Sequence, residues 1–134
     1  MSRVFIDTNI VLDLLIEDRK NHDKAKKLFS YLILNDYEIA ISEDMLSTIF
    51  YVAKNKNKTL KFFQEIQDEW IIFTYGKDIL RNSFAFALEN SADLEDTLQC
   101  FCAKENDCQQ LITSDKKFVL CGINIATYDD FEIM

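Results

Sequence analysis

An α/β fold of three layers, one parallel sheet of four or five strands with helices on both faces, is predicted by three features of the 134-residue chain. Short apolar runs suited to buried strands alternate along its length with stretches of helical period, in the order β-α-β-α-β-α-β that builds parallel sheets. There is no Pro, and Gly76 and Gly122 are the only glycines. So few breakers disfavour a sandwich or barrel of many tight hairpins and suit long helices joined by short loops. Two of the apolar runs, Val4-Phe5-Ile6 and Leu111-Ile112, lead into short polar residues and an acid, Asp7 and Asp115. In an open parallel sheet both carboxylates stand at the C-terminal edge, where ligands bind.

The elements follow in order. Val4 to Ile6 reads as a fully buried strand breaking into a helix from Ile10 to Ile16, with Asn9 placed to cap that helix and to hold a neighbouring carboxylate. Glu17 to Asn21 is a polar break. Ala25, Leu28, Phe29 and Leu32 have the i, i+3, i+4, i+7 spacing of an amphipathic helix from about His22 to Leu34. Tyr37 to Ile41 is a second strand ended by Ser42, the expected N-cap of a helix with Leu46, Ile49, Phe50 and Ala53 on its apolar face and Glu43 and Asp44 in its first turn. Lysines and asparagines from Lys54 to Lys58 break it, and a shorter helix carries Leu60, Phe63 and Ile66. Trp70 to Thr74 is a third strand, and Gly76 turns the chain into a helix with Leu80, Phe84, Ala87 and Leu88 on one face. Asp93 to Lys104 is a further helix, Gln110 to Thr113 a fourth strand ending in Ser114-Asp115, and Ile123 to Ala126 a fifth strand or an extended tail.

Length and composition bound the function. The chain suits a single domain over residues 1–134, burying about two thirds of the surface its unfolded state exposes. With 49% apolar and 28% charged residues it is an ordinary globular protein. No apolar run is long enough for a membrane span and no signal-peptide pattern precedes the first strand, so a cytoplasmic protein is expected. The net charge of −8 argues against a broad basic surface for nucleic acid. Local clusters remain, at Arg19, Lys20, Lys24, Lys26 and Lys27 and at Lys54, Lys56, Lys58 and Lys61, each by itself a solvated helix face. Of the cysteines, Cys100 and Cys102 point about 200° apart on a helix and cannot share one ion. Together with Cys108 and Cys121 they read as reduced, buried thiols. His22 is the only histidine and has no nucleophile motif to serve, which leaves triad chemistry without a base.

Asp93-Leu94-Glu95-Asp96 is where the remaining chemistry concentrates. Leu94, Leu98 and Phe101 share one side of the helix, and Asp93 and Asp96 lie one turn apart on roughly the opposite side, which continues into Cys100 and Ala103. Acids on a helix buried nearly all round must be paired or metal-bound, because isolated buried charge is very costly. For Asp93 a second reading stands: it is the N-cap, with Asp96 completing an acidic box. Asp96 is not required by a cap. Asp115 likewise has a simple reading as the turn into Lys116-Lys117-Phe118, but with two strand-end acids and Asp96 in one fold a shared site is favoured.

Phe5-Ile6-Asp7-Thr8-Asn9, then Asp96-Thr97-Leu98-Gln99 followed by Cys100, Cys102 and Ala103, then Ile112-Thr113-Ser114-Asp115 and Phe118 together resemble the PIN-domain ribonucleases. The likeness is greatest to VapC-type toxins and relatives with an Asp-Phe-Glu-Asp-like motif, and it extends over the whole chain in length, order and spacing. It implies a metal-dependent endoribonuclease, the toxin of a toxin–antitoxin pair, with Mg²⁺ or Mn²⁺ held by acids, RNA as substrate, a cognate antitoxin as partner and a homodimeric state. Asp7, Asp96 and Asp115 match the family's first, third and fourth acids. The second, a glutamate six residues past the Ser that starts the helix after strand two, falls on Thr48. Asp44 stands one i, i+4 step before Thr48, and either Asp44 or Glu43 is a candidate replacement. Asp93 and Asp44 are therefore further candidate ligands, and Asn9, Thr113 and Ser114 supporting residues that orient ligands or phosphate. Basic residues beside the pocket would track the RNA backbone. The Thr48 departure keeps a second reading open, a PIN-like fold that binds RNA or protein without cleaving. A receiver-type signalling domain is disfavoured, because the third strand ends in Tyr75-Gly76 with no phosphoacceptor Asp.

An aromatic-rich stretch gives an independent reason to expect a dimer. Lys58 to Tyr75 holds Leu60, Phe62, Phe63, Ile66, Trp70, Ile71, Ile72, Phe73 and Tyr75, and Phe62 and Phe63 point about 100° apart. One small core is hard pressed to hide every ring, so the helices between Ser42 and Gln67 are the expected two-fold interface. The alternative is that all these rings fill the core.

Overall fold

The computed structural model describes residues 2–115, 117–118 and 121–131. The chain alternates as predicted: β1 (Arg3–Ile6), α1 (Thr8–Leu15), α2 (His22–Leu34), β2 (Glu38–Ser42), α3 (Met45–Val52), α4 (Lys56–Glu69), β3 (Ile71–Phe73), α5 (Gly76–Asn90), α6 (Leu94–Glu105), β4 (Gln110–Ile112), β5 (Asn124–Ala126) and a 3₁₀ turn, Tyr128–Phe131. The five strands pair in parallel in the order β3-β2-β1-β4-β5. Connections from β1 to β2 and from β2 to β3 step one way across the sheet, whereas β3 to β4 steps back over it. Because such crossovers are right-handed, α1 to α4 cover one face and α5 and α6 the other. Val4, Phe5, Ile6, Ala40, Ile41, Leu111 and Ile112 are wholly inaccessible, as strands covered on both faces must be. The reversal makes the gap between β1 and β4 a topological switch point, with β1 ending in Asp7 and β4 leading into Thr113 to Asp115.

Several local expectations are corrected. Asn9 does not cap α1: the helix starts at Thr8, Asp7 occupies the cap position, and the exposed Asn9 lies in the first turn without a side-chain hydrogen bond to a described residue. Ser42 is the last residue of β2 rather than a cap, and its hydroxyl donates to Asp44, which precedes α3. The helix after the Lys54–Lys58 region is not the shorter one. Asn55 caps it by accepting the Lys58 N–H at 3.0 Å, so the lysines enter the helix and α4 runs for 14 residues against 8 for α3. On α6 the face turned to the core is Thr97, Gln99, Cys100, Cys102 and Ala103, all buried, while Leu94 is 44% exposed and Leu98 and Phe101 are half-buried. Phe101 meets Phe86 of α5 edge-on. Cys100 and Cys121 form a disulfide, contrary to the expectation of four reduced thiols, whereas Cys102 and Cys108 are free and buried. A pair separated by 21 residues in sequence is brought together because α6 packs beside the segment leading to β5. Lys116, first residue of the expected turn, lies outside the described residues.

The aromatic stretch mostly fills the core. Trp70 stacks on Phe29 at 5.3 Å between ring centres and receives Phe62 edge-on at 5.6 Å, leaving Leu60, 49% exposed, as the open residue. Buried Asp13 of α1 accepts from Arg19 Nε at 2.8 Å and Tyr128 Oη at 2.7 Å, which ties α1 to the 3₁₀ turn. His22 contributes to the same corner through Nδ1 against the Asp13 carbonyl. No helix among the described residues is long and apolar enough to cross a membrane.

Candidate active site

Register brings the two strand-end motifs together. Ile6 pairs with Ile112, and the Asp7 N–H donates to the Ile112 carbonyl at 3.0 Å, extending the ladder one step past each strand. That step sets Asp7 beside Thr113. The Thr113 hydroxyl donates to Asp7 Oδ2 at 2.9 Å and accepts the Asp115 N–H at 3.0 Å, so one threonine fixes both acidic positions. Asp115 Oδ1 accepts the Lys117 N–H at 2.8 Å, which folds the chain away behind it. Ser114 is half-buried and makes no side-chain hydrogen bond to a described residue.

From the other face of the sheet α6 delivers its acids. Asp93 is its N-cap and accepts the Asp96 N–H at 2.9 Å, while the Thr97 hydroxyl donates to the Asp93 carbonyl. The reading of Asp93 as a cap is thus the observed one, and the cap turns Asp96 toward the sheet edge. Gln99, one turn further along, donates from Nε2 to the Thr8 hydroxyl at 3.3 Å.

The electrostatics show that these carboxylates share one field. Burial pushes the Asp7 carboxyl up, hydrogen bonds from Thr113, Gln99 and the Thr8 backbone offset it, and the Asp115 charge adds to the rise. Asp96 is pushed up to about 6, first by burial and then by Asp93, Asp7, Asp115 and Glu95. Glu95 is raised by burial and by Asp7, Asp93 and Asp44, with the Thr8 hydroxyl partly compensating. No described Lys or Arg forms an ion pair with any of the three. Negative charge gathered without a basic partner is costly to hold, and a cation relieves it. The donors are all oxygens, which suits Mg²⁺ or Mn²⁺. Among the described residues no three His, Cys, Asp or Glu side chains form a ready-made cage for an ion. An ion that keeps several waters and takes few direct carboxylates, as Mg²⁺ does, fits such an open set.

Of the remaining candidates, Thr48 is exposed and Asp44, also exposed, is bound to Ser42 and adds its charge to the cluster at Glu95. Glu95 lies in the acidic stretch singled out by the sequence but was not named there as a ligand. The second basic cluster is occupied locally: Lys54 pairs with Asp18, Lys58 with Glu17, and Lys56 donates to the carbonyls that end α3.

Known proteins share this fold. Residues 3–117 match the PIN domain. The chain is 30% identical over 133 residues to ribonuclease VapC1 of Aquifex aeolicus (strain VF5), covering 96% of this chain and 92% of that protein. It superposes on a toxin–antitoxin complex from Klebsiella pneumoniae with a TM-score of 0.70 at 24% identity, covering 93% of this chain and 97% of the other. It likewise superposes on VapBC2 from Rickettsia felis bound to a DNA fragment from their promoter, with a TM-score of 0.73 at 16% identity over 93% and 98% of the two chains. VapC20 of Mycobacterium tuberculosis, a sarcin–ricin loop cleaving toxin, gives 0.72 at 12% identity over 90% and 95%. With its strand order, its switch-point acids and the match over most of its length, the chain belongs to the PIN domain family.

Proposed function

We propose that the protein is a divalent-metal-dependent endoribonuclease and the toxin of a toxin–antitoxin pair. The observation that carries this reading is that at the switch point Asp115 raises the proton affinity of Asp7, and Asp7 and Asp115 that of Asp96, while none of the three pairs with a described Lys or Arg. The name of the Aquifex relative supports RNA as substrate, and the neighbouring complexes support an antitoxin partner. Asp7, Asp96 and Asp115 are the proposed ligands, with Asp93, Glu95 and Asp44 adding negative charge around them. When bound, Mg²⁺ or Mn²⁺ stabilises charge gathering on the phosphate and lowers the pKa of a water it carries. Thr113 keeps Asp7 and Asp115 in mutual register while the site is loaded. The Asp93 cap fixes the start of α6 so that Asp96 faces the same edge. One of these acids, holding the ion through water rather than directly, would take the proton of the attacking water. Ser114, next to Asp115, is left to orient phosphate.

The test is cleavage of single-stranded RNA with Mn²⁺ or Mg²⁺, with and without chelator. Cleavage should stop with chelator and fall at least about 100-fold in Asp7→Asn. Cleavage untouched by both changes refutes the reading. Thr48, where an acid was expected, favours one alternative: a PIN fold that binds RNA or protein without cutting it. RNA binding without any cleavage in the same assay would decide for it. The assembly proposed is a two-fold dimer through α3 and α4, where Tyr51 is 86%, Leu60 49% and Val52 43% exposed.

A further inference from the structure

Gln99 lies on the core face of α6, 1% exposed, and its two polar atoms are treated unequally. Nε2 donates to the Thr8 hydroxyl at 3.3 Å and also lies against the Asp7 carboxylate, where it favours the ionised form. Oε1 is buried and has no hydrogen-bond partner. A buried amide oxygen without a partner destabilises the fold, and an apolar side chain of the same length would avoid that cost. Such an orphan beside an acidic site points to a partner that comes with the loaded site.

We propose that Gln99 is a positioning residue for the metal-loaded site: its amide N–H holds Asp7 and Thr8 in place, and its carbonyl oxygen awaits a hydrogen-bond donor brought with the cation, a coordinated water. The inference rests on the metal-dependent reading above. It places Thr8 as the link as well, since the Thr8 hydroxyl accepts from Gln99 while facing Glu95. Three elements, β1 through Asp7, α1 through Thr8 and α6 through Gln99, are thereby locked at one point.

Gln99→Met tests this, because Met matches Gln in length and carries neither amide group. Three quantities are measured on the full chain: melting temperature without metal, Mn²⁺ affinity by calorimetry, and kcat and KM on RNA. The expected result is Mn²⁺ affinity weaker by about tenfold and kcat lower by about tenfold with KM within twofold, whichever way the metal-free melting temperature moves, because loss of the donor to Asp7 and removal of the unpartnered oxygen act on it in opposite directions. Affinity and kcat within twofold overturn the proposal. So does a lowered melting temperature with unchanged affinity, the signature of a merely structural glutamine. If Gln99→Met does not fold, Gln99→Asn, an amide one methylene short, is expected to show the same losses in affinity and kcat, and their absence there is equally fatal. Failure of the unaltered chain to bind Mn²⁺ or cut RNA removes the function and this inference together, whereas normal binding and cleavage with a silent Gln99→Met removes only the inference.

Discussion

Thr113 and Asp96 show how much single side chains decide. Thr113 is fully buried and its hydroxyl serves a carboxylate that is itself 5% exposed, so Thr113→Val leaves Asp7 short of a donor. A loss of about 1.5–3 kcal/mol in urea unfolding at pH 8 is expected, the range for hydrogen bonds to charged groups. Asp96 acts in the opposite sense. Its carboxyl is raised in the folded protein, to about 6, so between the ordinary carboxylate range and that value the native state keeps a proton that the unfolded chain releases. Its contribution to metal-free stability is therefore fully present at low pH and lost as pH rises through about 6. Asp96→Asn should flatten this slope and raise the metal-free melting temperature at pH 7, and a steeper slope in the variant would refute the assignment. The same proton competes with the cation, so Mn²⁺ affinity should fall as pH drops below about 6. The strand-end acids were legible because an acid after an apolar run has one place to go in a parallel sheet. Gln99 and Glu95 lie in the motifs singled out in the sequence but were given no role, since their roles depend on which way Thr8 turns, and nothing local to α6 encodes that. The one available signal was a polar Gln99 among Thr97, Cys100, Cys102 and Ala103, on a helix already expected to be buried nearly all round.

At the scale of elements, α6 is the part that the sequence described least well. It was expected to be buried nearly all round, but only the side carrying Thr97, Gln99, Cys100, Cys102 and Ala103 is buried, because α6 lies close over the sheet while Leu94, Leu98 and Phe101 are left to the outer side and α5. The disulfide was equally hidden, since Cys100 and Cys121 meet only through the placement of α6 beside the β4–β5 connection. Lys104 Nζ reinforces that contact by donating to the Cys121 carbonyl at 3.1 Å. Both links fasten α6, which carries Asp96, to the segment that follows Asp115. Replacing Cys100 and Cys121 together by Ser should cost about 2–4 kcal/mol in unfolding free energy relative to the oxidised protein. Equal stability of the oxidised protein and the variant would count against the bond. By contrast α2 was predicted with its observed ends, because its period is uninterrupted and Asn21 and Asn35 flank it.

For the whole molecule, sheet order converts scattered short motifs into one acidic crevice, and dimerisation would set two such crevices in one groove. The apolar residues left open on α3 and α4, with a groove of Leu46, Leu60, Phe63 and Ile72 beside them, are the surface expected to close. Light scattering at micromolar concentration should give twice the 15.7 kDa chain mass, and a monomer mass unchanged by tenfold concentration would remove the dimer. The claim beneath every part of this account is that Asp7, Asp96 and Asp115 form one cation site. Calorimetric titration of the metal-free protein with Mn²⁺ at pH 7.5 measures this directly, alongside Asp7→Asn, Asp96→Asn and Asp115→Asn. One shared binding event weakened about tenfold or more by each substitution is the predicted result; Mn²⁺ binding that is absent, or indifferent to all three, would contradict it.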